Sequence, residues 1–367
     1  MKRVLPVLLS ILFALALLEG ALQLVYRVRA GDWLAHRTAL PIYRETDSGF
    51  ALKPHLALEH RTGEFRTHLF TDAHGFRVAA AGDEVARDKP ECAWRVMLLG
   101  PSFAFGWGVE YEETFLAQLG DRLRAAAASG GAGGAAGDAK IDLINAGVPA
   151  LGPIQQLEWF RREGAAYRPD LVIQLVYGSY AVSRAYSDGL VPDERGYLRP
   201  ATVSRADRLR AALKRSAIVF HVWAATNRLR GGEPKAIEGA GRPIATEEDP
   251  AEVGEALAFY EDLRTTVEAA GAELLVVYLP LSWRVHPEDT ARWRHLGVID
   301  PEASAASDAA WRERLARADV PVLDLTDALL AEAAKGERLY YSVDIHWTPK
   351  GHGVAAREIA GRMLEQH

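Results

Sequence analysis

The sequence predicts an α/β fold in which a parallel sheet lies between two layers of helices. Short apolar runs bounded by turn residues recur from Trp94 onward, as expected for strands that are buried on both faces. Segments with a helical pattern separate these runs, and such alternation favours parallel strands joined by helices. The runs are 95–99, 141–146, 171–176, 274–279 and 320–325, and the helical segments are 113–127, 154–165, 251–270, 307–318 and 350–365. We therefore predict a three-layer α/β/α sandwich with a flavodoxin-like sheet of five parallel strands.

The composition is that of a globular protein with a large core. The chain has 367 residues, of which 49% are hydrophobic and 25% are charged. Its formal net charge is −6, and no basic stripe runs along it, so we expect no nucleic-acid partner. Cys92 is the only cysteine, which excludes an internal disulfide, and the sequence has no CxxC pair or evident cluster of metal ligands.

The amino-terminal segment, residues 1–32, predicts an uncleaved membrane anchor. Lys2 and Arg3 precede an apolar run, and residues 4–26 would span about 34 Å as a helix, enough to cross a bilayer. Glu19 is costly in hydrocarbon but lies towards the far end of the run, where water is nearer. An anchor of this kind would leave the remaining chain extracytoplasmic, which is periplasmic in a Gram-negative bacterium. A cleaved signal peptide and a buried core helix are the alternatives.

Two further parts follow the anchor. Residues 33–93 are rich in His, Arg and Thr and predict a small β-rich preamble. Residues 94–367 form the α/β domain, which carries an insertion at about 181–250. The local features that we expect are an extended piece at 64–70, a turn at 72–77, a flexible Ala/Gly-rich loop at 125–139 and an Arg-rich helix at 206–215.

Ser102 is the candidate nucleophile. It follows Gly100, where the first predicted strand of the domain ends, so it lies at the carboxyl edge of the sheet, where parallel α/β folds bind ligands. A serine at this edge is also close to backbone N–H groups that can hold an oxyanion. A serine in a glycine-rich turn is often only structural, and that alternative stays open.

Asp344 and His346 are the candidate acid and base. Residues two apart in an extended stretch project to the same side, so both side chains can face one site. A serine hydroxyl needs such a base to remove its proton, and a carboxylate to orient the imidazole. The alternative is that Asp344 caps the final helix and that His346 is a packed loop histidine.

Taken together, the two segments resemble the SGNH/GDSL hydrolase family. The Asp-Ile-His-Trp-Thr-Pro-Lys-Gly-His segment at 344–352 is similar to the Asp-x-His-Trp signature of its membrane-anchored branch, which includes the alginate O-acetyltransferase group. The anchor followed by the turn at Gly75-Phe76-Arg77 also resembles this branch. The resemblance extends over roughly 65–180 and 270–365.

The resemblance implies a role for each site residue. Ser102 matches the nucleophile, within Gly100-Pro101-Ser102 where the family usually has Gly-Asp-Ser. The implied oxyanion donors are the N–H of Ser102, the N–H of Gly147 and the side chain of Ser179, which stands where the family usually has asparagine. No cofactor or metal is implied. We expect His352 to be structural, and Trp107 and Trp347 to be core aromatics rather than sugar platforms.

The implied function is that of a serine-dependent ester hydrolase acting through an acyl-enzyme on Ser102. The substrate would be a small acyl ester, such as an O-acetyl group on an envelope glycan or lipid. Two alternatives remain: an O-acetyltransferase that passes the group to a polysaccharide, and an inactive glycan-binding or assembly module, which Pro101 and Ser179 would allow.

Overall fold

The structure is a computed structural model that describes residues 4–30, 40–129, 140–177, 189–202, 216–219, 222, 250–290, 301–342 and 344–366. The predicted Arg-rich helix at 206–215 and the predicted oxyanion residue Ser179 lie outside these residues. So does most of the predicted Ala/Gly-rich loop at 125–139, and the start of that loop prediction is wrong because residues 125–128 are helical.

The strands form one large sheet and two small hairpins. They are β1 (Tyr43–Thr46), β2 (Gly49–Leu52), β3 (Ala57–Arg61), β4 (Arg66–Thr71), β5 (Arg77–Val78), β6 (Ala93–Leu99), β7 (Lys140–Asn145), β8 (Leu171–Val176), β9 (Leu190–Pro192), β10 (Leu198–Pro200), β11 (Glu273–Tyr278) and β12 (Val322–Asp324). The α-helices are α1 (Val4–Ala30), α2 (Ser102–Phe105), α3 (Phe115–Ala128), α4 (Pro153–Arg162), α5 (Pro250–Ala269), α6 (Ser282–Val285), α7 (Pro301–Arg317), α8 (Thr326–Ala333) and α9 (Pro349–Gln366).

The large sheet has the order β12-β11-β8-β6-β7-β5-β4-β3. Its first five strands are parallel and coincide with the five predicted runs. The prediction of a five-stranded sheet is nevertheless wrong, because the preamble adds β5, β4 and β3 as antiparallel strands beyond β7. The junction is a single residue pair, Arg77 opposite Asn145.

Helices cover both faces of the parallel strands, as the three-layer prediction requires. Successive residues of β6 alternate between two cores: Val96 and Leu98 pack with α3 and α9, whereas Met97 and Leu99 pack with α4, α5 and α7. This alternation is the ordinary two-residue period of a strand that is buried on both faces. The carboxyl ends of β6, β7, β8, β11 and β12 therefore meet at one edge of a well-packed sheet.

Helix α1 stands apart from these cores. The stretch Leu5–Val25 has a mean hydropathy of 2.3 and is long enough to cross a membrane, and none of it is buried. This exposure rules out the buried core helix that the sequence left as an alternative. By length and composition the helix suits a membrane anchor, and a signal sequence has the same properties.

Candidate active site

Ser102 lies at the carboxyl edge of the sheet, on the tight turn that follows β6. Gly100 adopts φ +154°, and a Cβ there would lie 2.6 Å from the Cβ of Ala104 and 3.0 Å from that of Leu175. Only glycine fits this turn, because any side chain would enter the packed sheet. The turn places Ser102 at this edge, as the sequence predicted, and makes it the first residue of the short helix α2.

The structure brings Ser102, His346 and Asp344 into one hydrogen-bonded chain. Nε2 of His346 lies 2.5 Å from Oγ of Ser102, and Nδ1 of His346 bonds to Oδ1 of Asp344. Burial raises the pKa of Asp344, but the charge and hydrogen bonds of His346 outweigh burial and hold that pKa below its ordinary value. Asp344 is therefore a carboxylate that keeps the imidazole proton on Nδ1. Nε2 is then left to accept the hydroxyl hydrogen of Ser102.

The local geometry around Asp344 differs from the one that we expected. Residues 344–346 form a bend rather than an extended stretch, and Oδ1 of Asp344 also accepts the backbone N–H of His346 at 2.9 Å. This bond from a side chain to the backbone two residues on is an Asx turn. Asp344 does not cap α9, since that helix begins at Pro349. The two side chains face Ser102 because of the turn.

Two aromatic rings hold the imidazole in place. Phe103, directly after the serine, is buried with its ring centroid 4.8 Å from that of His346. Trp107 lies 5.9 Å from His346 and 4.5 Å from the ring of His60. Trp107 is half-buried, so it borders the site, whereas Trp347 is fully buried in the core, as predicted.

Glu64 is a residue of the site that sequence analysis missed. It lies in the turn between β3 and β4, and its two carboxylate oxygens accept the backbone N–H groups of Ser342 at 2.6 Å and Asp344 at 2.7 Å. A further hydrogen bond joins the same loop to the segment after Ser102: the hydroxyl of Tyr341 donates to the carbonyl of Gly108 at 2.7 Å. No local pattern signals these contacts, because Glu64 and Ser342 are 278 residues apart in the chain.

Arg77, the last residue of the Gly-Phe-Arg turn, supports the segment after Ser102. Its side chain is fully buried, and its guanidinium donates to the backbone carbonyls of Phe105 at 2.7 Å, Gly106, and Val109 at 2.5 Å. The guanidinium also lies 4.7 Å over the ring of Phe105. Burial lowers the pKa of Arg77 to about 10, so it remains charged at neutral pH.

The three predicted oxyanion donors have different outcomes. The N–H of Ser102 is at the start of α2 and has no partner among the residues described, as the first N–H groups of a helix generally lack one within the helix. The N–H of Gly147 donates to Oδ1 of Asn145 at 3.0 Å, so an oxyanion would have to share or replace that acceptor. Ser179 lies outside the described residues. The oxyanion assignments therefore remain predictions.

His352 is buried in the first turn of α9, where we expected a structural histidine. Its Nδ1 accepts the backbone N–H of Phe115 at 3.2 Å, and burial lowers its pKa to about 3. In the part of the chain that the structure describes, no group of three or more His, Cys, Asp or Glu residues is placed to hold a metal ion.

Comparison with known proteins finds similarity to one family in part of the chain. The model of the SGNH hydrolase-like domain of acetyltransferase AlgX matches residues 243–367. A protein named probable alginate O-acetylase AlgJ from Pseudomonas fluorescens is 29% identical over 110 residues, which cover 30% of this chain and 26% of that protein. The protein of the same name from Pseudomonas syringae pv. tomato is 27% identical over 157 residues, covering 40% of this chain and 38% of that protein. These matches support an AlgJ-like SGNH family, and the family model matches the last third of this chain.

Solved structures of esterases are similar to this chain at low identity. The lipase/acylhydrolase of Enterococcus faecalis is 13% identical with a TM-score of 0.37, over 74% of this chain and 96% of that one. A mutant of Axe2, an acetylxylan esterase from Geobacillus stearothermophilus, is 12% identical with a TM-score of 0.40, over 74% and 93% of the two chains.

The matches to the AlgJ proteins are partial. The chain spans about a quarter to two fifths of the length of these curated relatives. The match to the family model includes Asp344 and His346. It begins at residue 243, which is 141 residues after Ser102, so it does not include the serine. The serine is linked to the other two residues by the hydrogen-bonded geometry rather than by the match.

Proposed function

We propose that this protein transfers small acyl groups through a covalent ester on Ser102, with a sugar hydroxyl of an envelope glycan as the acceptor. The observation that carries the proposal is the hydrogen-bonded chain from Oγ of Ser102 through His346 to Asp344. A serine hydroxyl becomes a nucleophile when a neighbouring imidazole takes its proton, and the carboxylate stabilises the imidazolium that forms.

In the first half-reaction, Oγ of Ser102 attacks the carbonyl carbon of the donor ester while its proton moves to Nε2 of His346. The oxyanion that forms is held by the N–H of Ser102, with Gly147 and Ser179 as the further predicted donors. The bond to the donor alcohol then breaks, and that alcohol leaves with the proton from Nε2. In the second half-reaction an acceptor hydroxyl gives its proton to Nε2 and attacks the acyl carbon. The bond from the acyl carbon to Oγ of Ser102 then breaks, and Nε2 returns the proton to Oγ.

The second half-reaction decides between two activities. The sequence alone favoured water as the acceptor, which would make the protein an ester hydrolase. Partial similarity to proteins named as alginate O-acetylases supports a polysaccharide hydroxyl instead. The exposed apolar helix α1 supports a membrane-attached enzyme, with its α/β domain on the extracytoplasmic side where such a glycan would be met.

Labelling with a fluorophosphonate probe tests the shared first step. We expect the full-length protein to be labelled on Ser102, as shown by mass mapping of the modified peptide, and Ser102→Ala and His346→Ala to remain unlabelled. Absence of labelling in the folded wild-type protein would overturn the proposal in favour of an inactive glycan-binding module.

Turnover of an activated acetyl ester then separates transfer from hydrolysis. We expect an acetylated oligosaccharide, detected by mass spectrometry, when acidic oligosaccharides are added, and an increase in the rate of ester consumption. Free acetate as the only product, at a rate independent of added oligosaccharide, would identify a hydrolase.

A further inference from the structure

We propose that Glu64 is a positioning residue for the reaction above, acting through the loop that carries Asp344. Glu64 lies in the β3–β4 turn, in the added antiparallel part of the sheet. Each of its carboxylate oxygens accepts one backbone N–H, from Ser342 and Asp344. The inference rests on the proposed function, because it assigns Glu64 a part in the geometry of the acid and base.

The contact of Glu64 constrains the backbone of the loop at Asp344, whose position relative to His346 matters for the reaction. Charge-assisted hydrogen bonds from backbone amides to a carboxylate are short and directional, and the two bonds here measure 2.6 and 2.7 Å. One of them ends on the backbone of Asp344 itself, so the position of its Cα is set by Glu64. The side chain of Asp344 in turn sets the orientation of His346. The effect of losing Glu64 would therefore be transmitted from Asp344 to His346 and from His346 to Ser102, through the two hydrogen bonds that His346 makes.

The charge of Glu64 also favours the reaction. It adds a second negative charge beside the loop of Asp344, and the positive charge on His346 forms only when the proton of Ser102 is transferred. A fixed anion near that point stabilises the transition state more than the resting state.

Kinetics of Glu64→Gln and Glu64→Ala test this role. A glutamine can accept only one of the two N–H groups and turns its own NH₂ towards the other, so it cannot replace the carboxylate. We expect kcat to fall about 10- to 100-fold with KM nearly unchanged, since a displacement of about 1 Å can cost that much. The matched control is Glu59→Gln, a carboxylate on β3 of the same hairpin that pairs with Arg66 at the surface, and we expect wild-type kcat there.

A double-mutant cycle separates positioning from general damage to the fold. If Glu64 acts through Asp344, Glu64→Ala should cause little further loss of kcat in an Asp344→Ala background. Additive losses, or wild-type kcat in Glu64→Ala, would overturn the proposal.

Amide hydrogen exchange of the 340–346 peptide provides a measurement that does not depend on activity. We expect faster exchange in Glu64→Ala than in wild type and in Glu59→Gln. Unchanged exchange would overturn the claim that Glu64 holds the loop. If wild type shows neither labelling nor turnover, the proposed function fails, and the exchange result still decides whether Glu64 fixes this loop.

A separate observation concerns Glu19 in the apolar helix α1. Where the burial of α1 side chains is described, Glu19, Leu22 and Gln23 are half-buried and the others are exposed. This spacing places them on one face of the helix. The carboxylate of Glu19 accepts three hydrogen bonds from a distant segment, from the hydroxyl of Ser216 at 2.8 Å and the backbone N–H groups of Ala217 at 2.7 Å and Ile218 at 3.0 Å.

From this contact we infer that residues 216–219 enter the apolar layer of the membrane beside α1. Glu19 lies six residues before the end of the stretch Leu5–Val25, which is roughly 9 Å along a helix. A carboxylate at that depth is expensive unless hydrogen-bonded, and the segment supplies its donors. Residues 217–220 are apolar, and Val222 exposes 56% of its surface, as a side chain facing lipid would.

Cysteine chemistry tests the membrane contact in full-length protein reconstituted into proteoliposomes. In a Cys92→Ser background, we expect Val222→Cys to react with a membrane-impermeant maleimide only after detergent is added. Native Cys92 is exposed on the α/β domain and serves as the control that reacts beforehand. Equal reaction of the two positions in intact proteoliposomes would overturn the inference.

Cross-linking tests the pairing itself. In the same background, Glu19→Cys with Ala217→Cys should form a disulfide on oxidation, while Phe13→Cys with Ala217→Cys should not. Cross-linking of both pairs to the same extent, or of neither pair, would show that Glu19 does not contact this segment.

Discussion

Replacing Arg77 tests how the segment after Ser102 is held. Arg77→Met removes the donor of three buried backbone carbonyls, those of Phe105, Gly106 and Val109. An unsatisfied buried acceptor costs about 1–3 kcal/mol, so the three together cost roughly 6 kcal/mol. Burial lowers the pKa of Arg77 from its ordinary value to about 10, which corresponds to roughly 3 kcal/mol opposing the buried charge. Methionine removes this cost, and the expected net loss in the free energy of unfolding is about 3 kcal/mol.

The assay is urea unfolding of the detergent-solubilised full-length chain, followed by circular dichroism, with kcat and KM measured on an activated acetyl ester. We expect kcat to fall more than KM rises, because the three carbonyls lie just after Ser102. Arg66→Met is the matched control: Arg66 is on the neighbouring strand β4 and pairs with Glu59 at the surface, so its loss should cost under about 1 kcal/mol. Equal unfolding free energies for the two variants, with wild-type turnover in Arg77→Met, would refute this reasoning.

Three further outcomes are expected. Asp344→Asn should lower kcat by about four orders of magnitude without unfolding the protein, because the amide donates to Nδ1 and leaves the imidazole proton facing Ser102; retention of a tenth of the activity would contradict this. Gly147→Ala should cost about 1–3 kcal/mol in urea unfolding, since its Cβ would lie 2.8 Å from the carbonyl carbon of Ala104, whereas Gly361→Ala in α9 meets no atom within 4 Å and should not destabilise. The pKa of buried His352 lies at about 3, below its ordinary 6.5. Between pH 6.5 and 3 the histidine is therefore protonated in the unfolded chain but neutral in the folded one. The free energy of unfolding should fall as the pH is lowered through this range. The slope should be up to about 1.4 kcal/mol per pH unit and should be smaller in His352→Gln.

The parallel part of the sheet was predictable because each of its strands is a short apolar run. β8 coincides with its predicted run, and β6, β7 and β11 differ from theirs by no more than two residues at either end. A strand that is buried on both faces consists almost entirely of apolar residues, so it can be predicted without knowing which strands pair with it. The added strands lack this signal, since β3 and β4 have exposed or half-buried residues at every second position and β5 has only two residues. Their place in the sheet depends on the single pair Arg77–Asn145, which no sequence pattern shows.

The candidate triad was predictable for a related reason. Ser102 follows a strand end, and Asp344 and His346 are two residues apart, so both features are local. The local geometry that brings Asp344 and His346 together was less predictable. The Asx turn at Asp344 replaces the extended stretch that we expected, because the side chain competes successfully for the N–H of His346. The supports from Glu64 and Arg77 are contacts between distant segments, and a single sequence carries no record of them.

These supports change how the preamble is understood. The β3–β5 extension supplies none of the three candidate reacting groups. It does supply the carboxylate that fixes the backbone of Asp344 and the guanidinium that fixes the segment after Ser102. The loop that carries Asp344 and His346 and the turn that carries Ser102 come from opposite ends of the α/β domain. The antiparallel extension contacts both of them. Residues on the two sides of the predicted boundary at 93 are therefore in direct contact. Residues 57–78 bond to the segment after Ser102 through Arg77 and to the backbone of Asp344 through Glu64.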